Sequence, residues 1–173
     1  MMHLLLEKCS AFIEKYILAF KDAGADGVIM AEPLAGLLSP DFAEEFSHNY
    51  VRKIIKNVQD DNFLVIYHNC GNTVYKMIDK IISLNASAYH LGNALQMDEV
   101  LKSIPSDIIV LGNINPVMFR NEDPATVKKA TTELLSKCGS YPNYIISSGC
   151  DIPPSSKWEN KPEFFDAVSE YYK

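Results

Sequence analysis

Apolar residues recur along this chain in two alternating rhythms. Leu5, Cys9, Phe12, Ile13, Tyr16, Ile17 and Phe20 fall at steps of three and four, which predicts an amphipathic helix over 3–23 with one buried face, closed by Gly24. Gly27-Val28-Ile29-Met30-Ala31 is instead a continuous apolar run that stops at Glu32-Pro33, the mark of a strand covered on both faces. The alternation then repeats. Ser39-Pro40-Asp41 is a helix start, and Phe42, Phe46, Tyr50, Ile54 and Val58 give that helix its expected inner face. Apolar runs at 63–67, 86–91, 108–111 and 143–148 predict four more strands. Between them, helices carry Val74, Met77, Ile78 and Ile81, then Met97, Val100, Leu101 and Ile104, then Val127, Ala130, Leu134 and Leu135. Asp123-Pro124 caps the last of these and Gly139 ends it. A polar loop over 151–162 leads to a final helix with Phe165, Val168 and Tyr172. Five continuous strands alternating with helices predict an α/β protein of parallel βα units, and 173 residues predict a single domain, 1–173.

The polar residues that stand out all fall where a strand ends: Glu32, His68, Cys70, His90, Asn113, Asn115 and Cys150. In parallel α/β folds the carboxyl ends of the strands form the ligand face. His68 and Cys70 lie two apart, so at an extended strand end they point the same way. An imidazole and a thiolate side by side make half of a tetrahedral zinc site. Cys150, closing the apolar strand at 144–149, is the candidate third donor. Three protein ligands with one open position is the catalytic pattern rather than the structural one. Gly71-Asn72 opens what reads as a helix, so Cys70 is expected at a helix start, where the dipole favours a thiolate.

Glu32, on the preceding strand, is either a fourth ligand or a carboxylate that orients the imidazole; His90 is a candidate substrate contact, and we group both as candidate catalytic residues. Asn113 and Asn115 are candidate contacts to a cofactor or substrate, or turn residues beside Pro116. His3 and His48 sit on helix patterns and are expected to face solvent. Cys9 and Cys138 read as bland, and Gly149 as the residue of a tight turn.

Charge narrows the partners. The net charge is −6 and the chain has two arginines, Arg52 and Arg120. Nucleic acid and anionic membranes need clustered positive charge, so neither is expected. Glu7, Lys8, Glu14 and Lys15 interrupt the apolar N-terminus, which is neither a leader nor a span. A cytoplasmic protein is expected. The cysteines at 9, 70, 138 and 150 show no secreted disulfide spacing.

Gly24-Ala25-Asp26-Gly27, Glu32-Pro33, Leu38-Ser39-Pro40-Asp41-Phe42, His68-Asn69-Cys70-Gly71-Asn72 and Ser148-Gly149-Cys150-Asp151-Ile152-Pro153 together resemble the uroporphyrinogen decarboxylase superfamily. More narrowly, they are similar to its corrinoid-dependent branch, the methylcobamide:coenzyme M methyltransferases. The resemblance runs from about Gly24 to the end. It implies a (β/α)₈ barrel of which this chain is the C-terminal five-eighths, its N-terminal βα units absent. It also implies Zn²⁺ on His68, Cys70 and Cys150, and methyl transfer from a methylated corrinoid (methylcobalamin), carried by a corrinoid protein, to a small thiol acceptor. The alternatives are a decarboxylase-like enzyme, which would want arginines this chain lacks, and a truncated non-catalytic subunit that docks with a corrinoid protein.

Five parallel strands cannot close a barrel. The edges at 27–32 and 143–148 are apolar, with no protective charge or proline inside the strand. They are expected either to pair with another copy, giving a homodimer, or to be covered by the helix at 3–23.

Overall fold

The computed structural model describes residues 1–173. Helices α1 (Met2–Asp22), α2 (Pro40–Ala43), α3 (Asn49–Val58), α4 (Ile78–Ile82), α5 (Met97–Ser103), α6 (Met118–Asn121), α7 (Pro124–Cys138) and α8 (Asn160–Tyr171) alternate with strands β1 (Gly27–Ala31), β2 (Leu64–Asn69), β3 (Ala88–Leu91), β4 (Ile109–Ile114) and β5 (Tyr144–Ser148). The strands form one open parallel sheet in the order β1-β2-β3-β4-β5. Ile29 is in register with Ile66 and Ala31 with His68; Leu111 is in register with Ile145 and Asn113 with Ser147. This is the expected α/β architecture of parallel βα units. Contacts cluster into two compact units, Met1–Tyr89 and His90–Lys173.

In the first unit, β2 buries Val65 and Tyr67 completely, while β1 is only partly covered on one face and exposed at Ile29 and Ala31. The expected caps form: Ser39 accepts from the Phe42 N–H at 3.3 Å and, in the second unit, Asp123 accepts from the Thr126 N–H at 2.7 Å. The inner face of the second long helix differs from expectation. A strict four-residue step advances about 40° per turn around an α-helix, so Phe42, Phe46, Tyr50, Ile54 and Val58 cannot share one face. The chain instead inserts a π turn, Glu44–His48, between α2 and α3. The buried set becomes Ala43, Ser47, His48, Val51, Ile54, Ile55 and Val58, while Phe42 is exposed. His48, expected in solvent, is thereby turned fully inward.

The expected buried stripe of α1 is likewise corrected. Only Ile17 is buried on this helix, and Phe12 is 69% exposed. The helix lies along the π turn and α3 through polar and edge contacts: the His3 ring stacks on Phe46 of the π turn with centroids 5.3 Å apart, and on α3 Asn57 Nδ2 donates to Glu14 Oε2 at 3.0 Å and the Val58 carbonyl accepts from Lys21 Nζ at 3.0 Å. It leaves Ile29 on β1 in the open.

The second unit closes on a cluster of Ile114, Phe119 and Val127, with Met118, Leu134, Ile152 and Phe164 packed against it. Asn160 ties α8 to this cluster, its Nδ2 donating to the Phe119 carbonyl at 2.9 Å and the Glu122 carbonyl at 3.0 Å. No helix is long and apolar enough to cross a membrane.

Candidate metal centre

His68 is the fifth residue of β2 and is buried; Cys70 comes directly after the strand and is half-buried. Pairing with Ala31 puts His68 on the same face of the sheet as Ile66 and Leu64. Cys70 does not sit at an α-helix start. Residues 74–76 make a 3₁₀ turn and α4 begins only at Ile78. Tertiary contacts hold the loop after Cys70 instead. The Gly71 N–H donates to Asn69 Oδ1 at 2.9 Å, and Thr73 donates through its N–H at 3.3 Å and its hydroxyl at 2.5 Å to the Gly36 carbonyl. Gly36 and Gly71 pass so closely that a Cβ on either would lie 2.3–2.5 Å from the other's Cα. No side chain fits there, so the two glycines fix the loop that presents Cys70.

Glu32 caps the end of β1, and its N–H donates to the His68 carbonyl at 2.9 Å. Its carboxylate is not free in solvent. Ser47, swung inward by the π turn, donates to Oε2 at 2.7 Å, and the Tyr67 hydroxyl donates to the same oxygen at 3.0 Å. Asn69 Nδ2 in turn donates to the Tyr67 oxygen at 3.2 Å and to the Glu32 carbonyl at 2.9 Å. Burial raises the Glu32 carboxyl above its ordinary value, and the two hydroxyl bonds pull the other way. Burial, the Glu32 charge and the bond to Glu32 all push the Tyr67 hydroxyl up, so Tyr67 stays protonated and can only donate to Glu32. Both hydroxyls converge on Oε2, which leaves Oε1 as the oxygen available to a proton or a cation. Sequence reasoning did not find Ser47, Tyr67 or Asn69. Tyr67 read as one apolar residue of a strand, and a π turn has no sequence signature.

In the second unit, Cys150 comes just after β5 and is half-buried. Gly149 just before it does not adopt a left-handed backbone; a Cβ there would fall 2.7 Å from the Asn93 N. Close approach rather than a tight turn explains this glycine. Its N–H donates to the Ile114 carbonyl at 2.6 Å, which anchors the turn that carries Cys150. His90, half-buried at the end of β3, has Nε2 2.6 Å from the Ser148 carbonyl. A carbonyl only accepts, so Nε2 carries the proton. Asn113 is buried, and its Nδ2 donates to the Gly92 and Leu95 carbonyls, both at 2.9 Å. Asn115 is exposed, and its Oδ1 accepts from the Val117 N–H at 3.0 Å, folding the turn before α6. The structure thus gives both asparagines loop-shaping tasks.

The ligand atoms of His68, Cys70 and Cys150 all lie within 4.8 Å of one another. Zinc held at about 2.0–2.3 Å by tetrahedral N and S donors brings such atoms to roughly 3.5 Å, so the three could close on one ion by small side-chain shifts. An imidazole with two thiols is a zinc donor set. Glu32 stands outside this group and reaches it through its backbone bond to His68.

The sequence model of "Uroporphyrinogen decarboxylase (URO-D)" matches residues 1–171. This chain belongs to the uroporphyrinogen decarboxylase family. Curated relatives include the uroporphyrinogen decarboxylase of Pseudoalteromonas atlantica, 26% identical over 180 residues, and that of Christiangramia forsetii, 27% identical over 169 residues; each alignment covers 98% of this chain and 48% of the relative. A solved methyltransferase from Methanosarcina mazei superposes with a TM-score of 0.82 at 23% identity, over 95% of this chain and 48% of that one. The likeness establishes the fold, a barrel-type βα architecture of which this chain spans about half. The uroporphyrinogen decarboxylase family is a family of enzymes, of whose curated members this chain spans about half, and the donor group of His68, Cys70 and Cys150 is compatible with zinc.

Proposed function

We propose that this chain carries the zinc-binding half of a methyltransferase that moves a methyl group from a methylated corrinoid to a small thiol. The observation that carries this reading is the gathering of one imidazole and two thiols within 4.8 Å at the carboxyl ends of parallel strands. The similarity to the Methanosarcina mazei methyltransferase supports it. In the reaction, the thiol loses its proton, its sulfur forms a bond to the methyl carbon, and the cobalt–carbon bond breaks with its electron pair left on cobalt. Zinc bound by His68, Cys70 and Cys150 would supply Lewis acidity that lowers the pKa of a thiol at the open position.

The chain's own residues do the rest. As zinc ligands, Cys70 and Cys150 would bring negative charge to the centre and favour an electron-rich acceptor sulfur. Glu32, fixed by Ser47 and Tyr67 and tied to the His68 backbone, is the carboxylate we assign to the departing proton through Oε1. His90, with its tautomer set by the Ser148 carbonyl, is assigned to substrate contact. A corrinoid protein is the expected donor partner.

A second reading, decarboxylation of a porphyrinogen, is favoured by the names of the curated relatives. Both arginines of these 173 residues lie on helices, α3 and α6, rather than on the strand ends. Arg52 is engaged on Glu44, Asn49 and Ser83 away from the strand ends, and Arg120 is exposed on α6. Metal analysis of the purified chain, with a methylcobalamin-to-thiol assay, separates the two. Zinc near one equivalent with methyl transfer supports the first; no bound zinc and no transfer would remove it.

A further inference from the structure

We propose that Asn69 is a positioning residue, whose carboxamide holds the backbone around Cys70 so that its thiol and the His68 imidazole meet one ion. This role rests on the zinc reading of His68, Cys70 and Cys150. Strand alternation sends the Asn69 side chain to the face opposite those of its two neighbours, and it stands outside the donor group. It is completely buried, and there it joins three segments. Nδ2 donates to the Glu32 carbonyl at the end of β1, at 2.9 Å, and to the Tyr67 oxygen on β2, at 3.2 Å. Oδ1 accepts from the Gly71 N–H, one residue past Cys70, at 2.9 Å.

A carbonyl only accepts and a backbone N–H only donates, so the amide has one orientation. An aspartate would set an oxygen against the Glu32 carbonyl, and a leucine would leave that carbonyl and the Gly71 N–H without this partner. The same amide abuts the crossing of the two loops: a Cβ on Gly36 would lie 2.5 Å from Asn69 Oδ1. Cys70 therefore stands between a side chain tied by three hydrogen bonds and a glycine that is both bonded and closely packed. A loop that samples many backbone states presents its thiol only part of the time, and the ion must then order it, which lowers affinity. The arm carrying Cys150 is anchored by a backbone bond, from the Gly149 N–H to the Ile114 carbonyl. Loss of Asn69 should therefore loosen Cys70 and spare Cys150.

The test sets Asn69→Ala beside Asn113→Ala in the full chain. Each removes a buried amide that donates to two acceptors, so both lose stability and only the first should disturb the metal. Asn69→Ala should bind Zn²⁺ about 10–100-fold more weakly in chelator competition, while Asn113→Ala matches the wild type. Loaded with Co²⁺ in place of Zn²⁺, the Asn69→Ala chain should lose about half of the ultraviolet thiolate-to-cobalt absorption, one thiolate remaining of two. A loss of stability alone does not produce that signature. Should Asn69→Ala fail to fold by circular dichroism, Asn69→Ser, which keeps a hydroxyl at the position, carries the test and should bind Zn²⁺ about tenfold more weakly. Wild-type zinc affinity with an unchanged cobalt spectrum in a folded Asn69 variant would overturn the role and leave the zinc reading standing. Equal weakening in Asn113→Ala would reduce the effect to stability and overturn it as well. A wild-type chain that takes up no zinc would end both readings.

Discussion

The strand ends of the two compact units use polar residues differently. In Met1–Tyr89, a carboxylate, two hydroxyls and an amide form a connected chain, Ser47 and Tyr67 onto Glu32 and Asn69 onto Tyr67. In His90–Lys173, the corresponding residues serve the backbone: Asn113 clasps two carbonyls, Asn115 folds a turn and His90 meets the Ser148 carbonyl. The first arrangement fixes a charged group in space, while the second shapes loops and delivers a single donor, Cys150. The difference teaches that residues at equivalent positions of a repeating βα plan need not share a task. Substitutions should therefore read out as chemistry in the first unit and, Cys150 and the proposed substrate contact His90 apart, as stability in the second.

The sharpest exception to that division is also the largest expected effect. Cys70→Ser and Cys150→Ser lie in different units but should do equal damage, because each removes one of three donors. Zinc affinity should drop well beyond the roughly 10–100-fold typical of losing an outer partner of a ligand, measured by chelator competition and elemental analysis. Cys138→Ala is the control: burial pushes this thiol up to about 11, and it should leave metal content unchanged. Retention of full zinc in either serine variant would break the proposed centre.

Next in size are Glu32→Gln and Tyr67→Phe. If the chain of hydroxyls and carboxylate orients the His68 end of β2, each should weaken zinc by about 10–100-fold and alter the pH profile of methyl transfer. Ser47→Ala should act in the same direction and more mildly, since Tyr67 still holds Oε2. Wild-type zinc affinity in all three would make the network a purely structural device and erase the contrast between the units.

Asn113→Ala probes the other side of the comparison. It removes the side-chain donor shared by the Gly92 and Leu95 carbonyls, Gly92 keeping the Leu95 N–H at 3.3 Å, which should cost about 1–3 kcal/mol of stability. Urea unfolding should register that loss while zinc content stays at the wild-type level. A normal unfolding midpoint with lowered zinc would reverse the assignment.

The βα order and the strand-end placement of His68, Cys70 and Cys150 were legible because both rest on local periodicity. Continuous apolar runs mark covered strands, and a polar residue closing such a run marks its end. Burial was less legible, because it depends on what a helix meets. The stripe of α1 is apolar, yet only Ile17 finds a core to enter. The pattern from Phe42 to Val58 was right at Ile54 and Val58, which are buried, and failed at Phe42, Phe46 and Tyr50, where a π turn at Glu44–His48 interrupts the α-helical step. The helix start after Cys70 failed for a related reason: Thr73 and Gly71 are drawn to Gly36, a contact between loops 37 and 35 residues apart in sequence that no window of local pattern contains.

His48 offers the smallest and most specific test, and it reports on the π turn itself. The ring is fully buried, and Nδ1 lies 3.4 Å from Glu44 Oε2 without the alignment of a hydrogen bond. Burial lowers its pKa below the ordinary value; Glu44 opposes this, and the charges of Arg52 and Lys80 add to it. A histidine whose folded pKa is depressed takes its proton more readily when unfolded. Its contribution to stability is therefore intact above about pH 6.5 and lost as pH falls below that value toward the folded pKa. Glu32 acts with the opposite sign, since a carboxyl raised by burial takes its proton more readily when folded and gains stability as pH falls through its folded value. The raw pH curve mixes the two, so the informative quantity is the wild type minus His48→Leu. Unfolding midpoints in urea between pH 8 and pH 5 should diverge below about pH 6.5, with the variant losing less. Parallel curves across that range would mean that His48 is not held neutral inside the fold, and that the π turn does not bury it in solution.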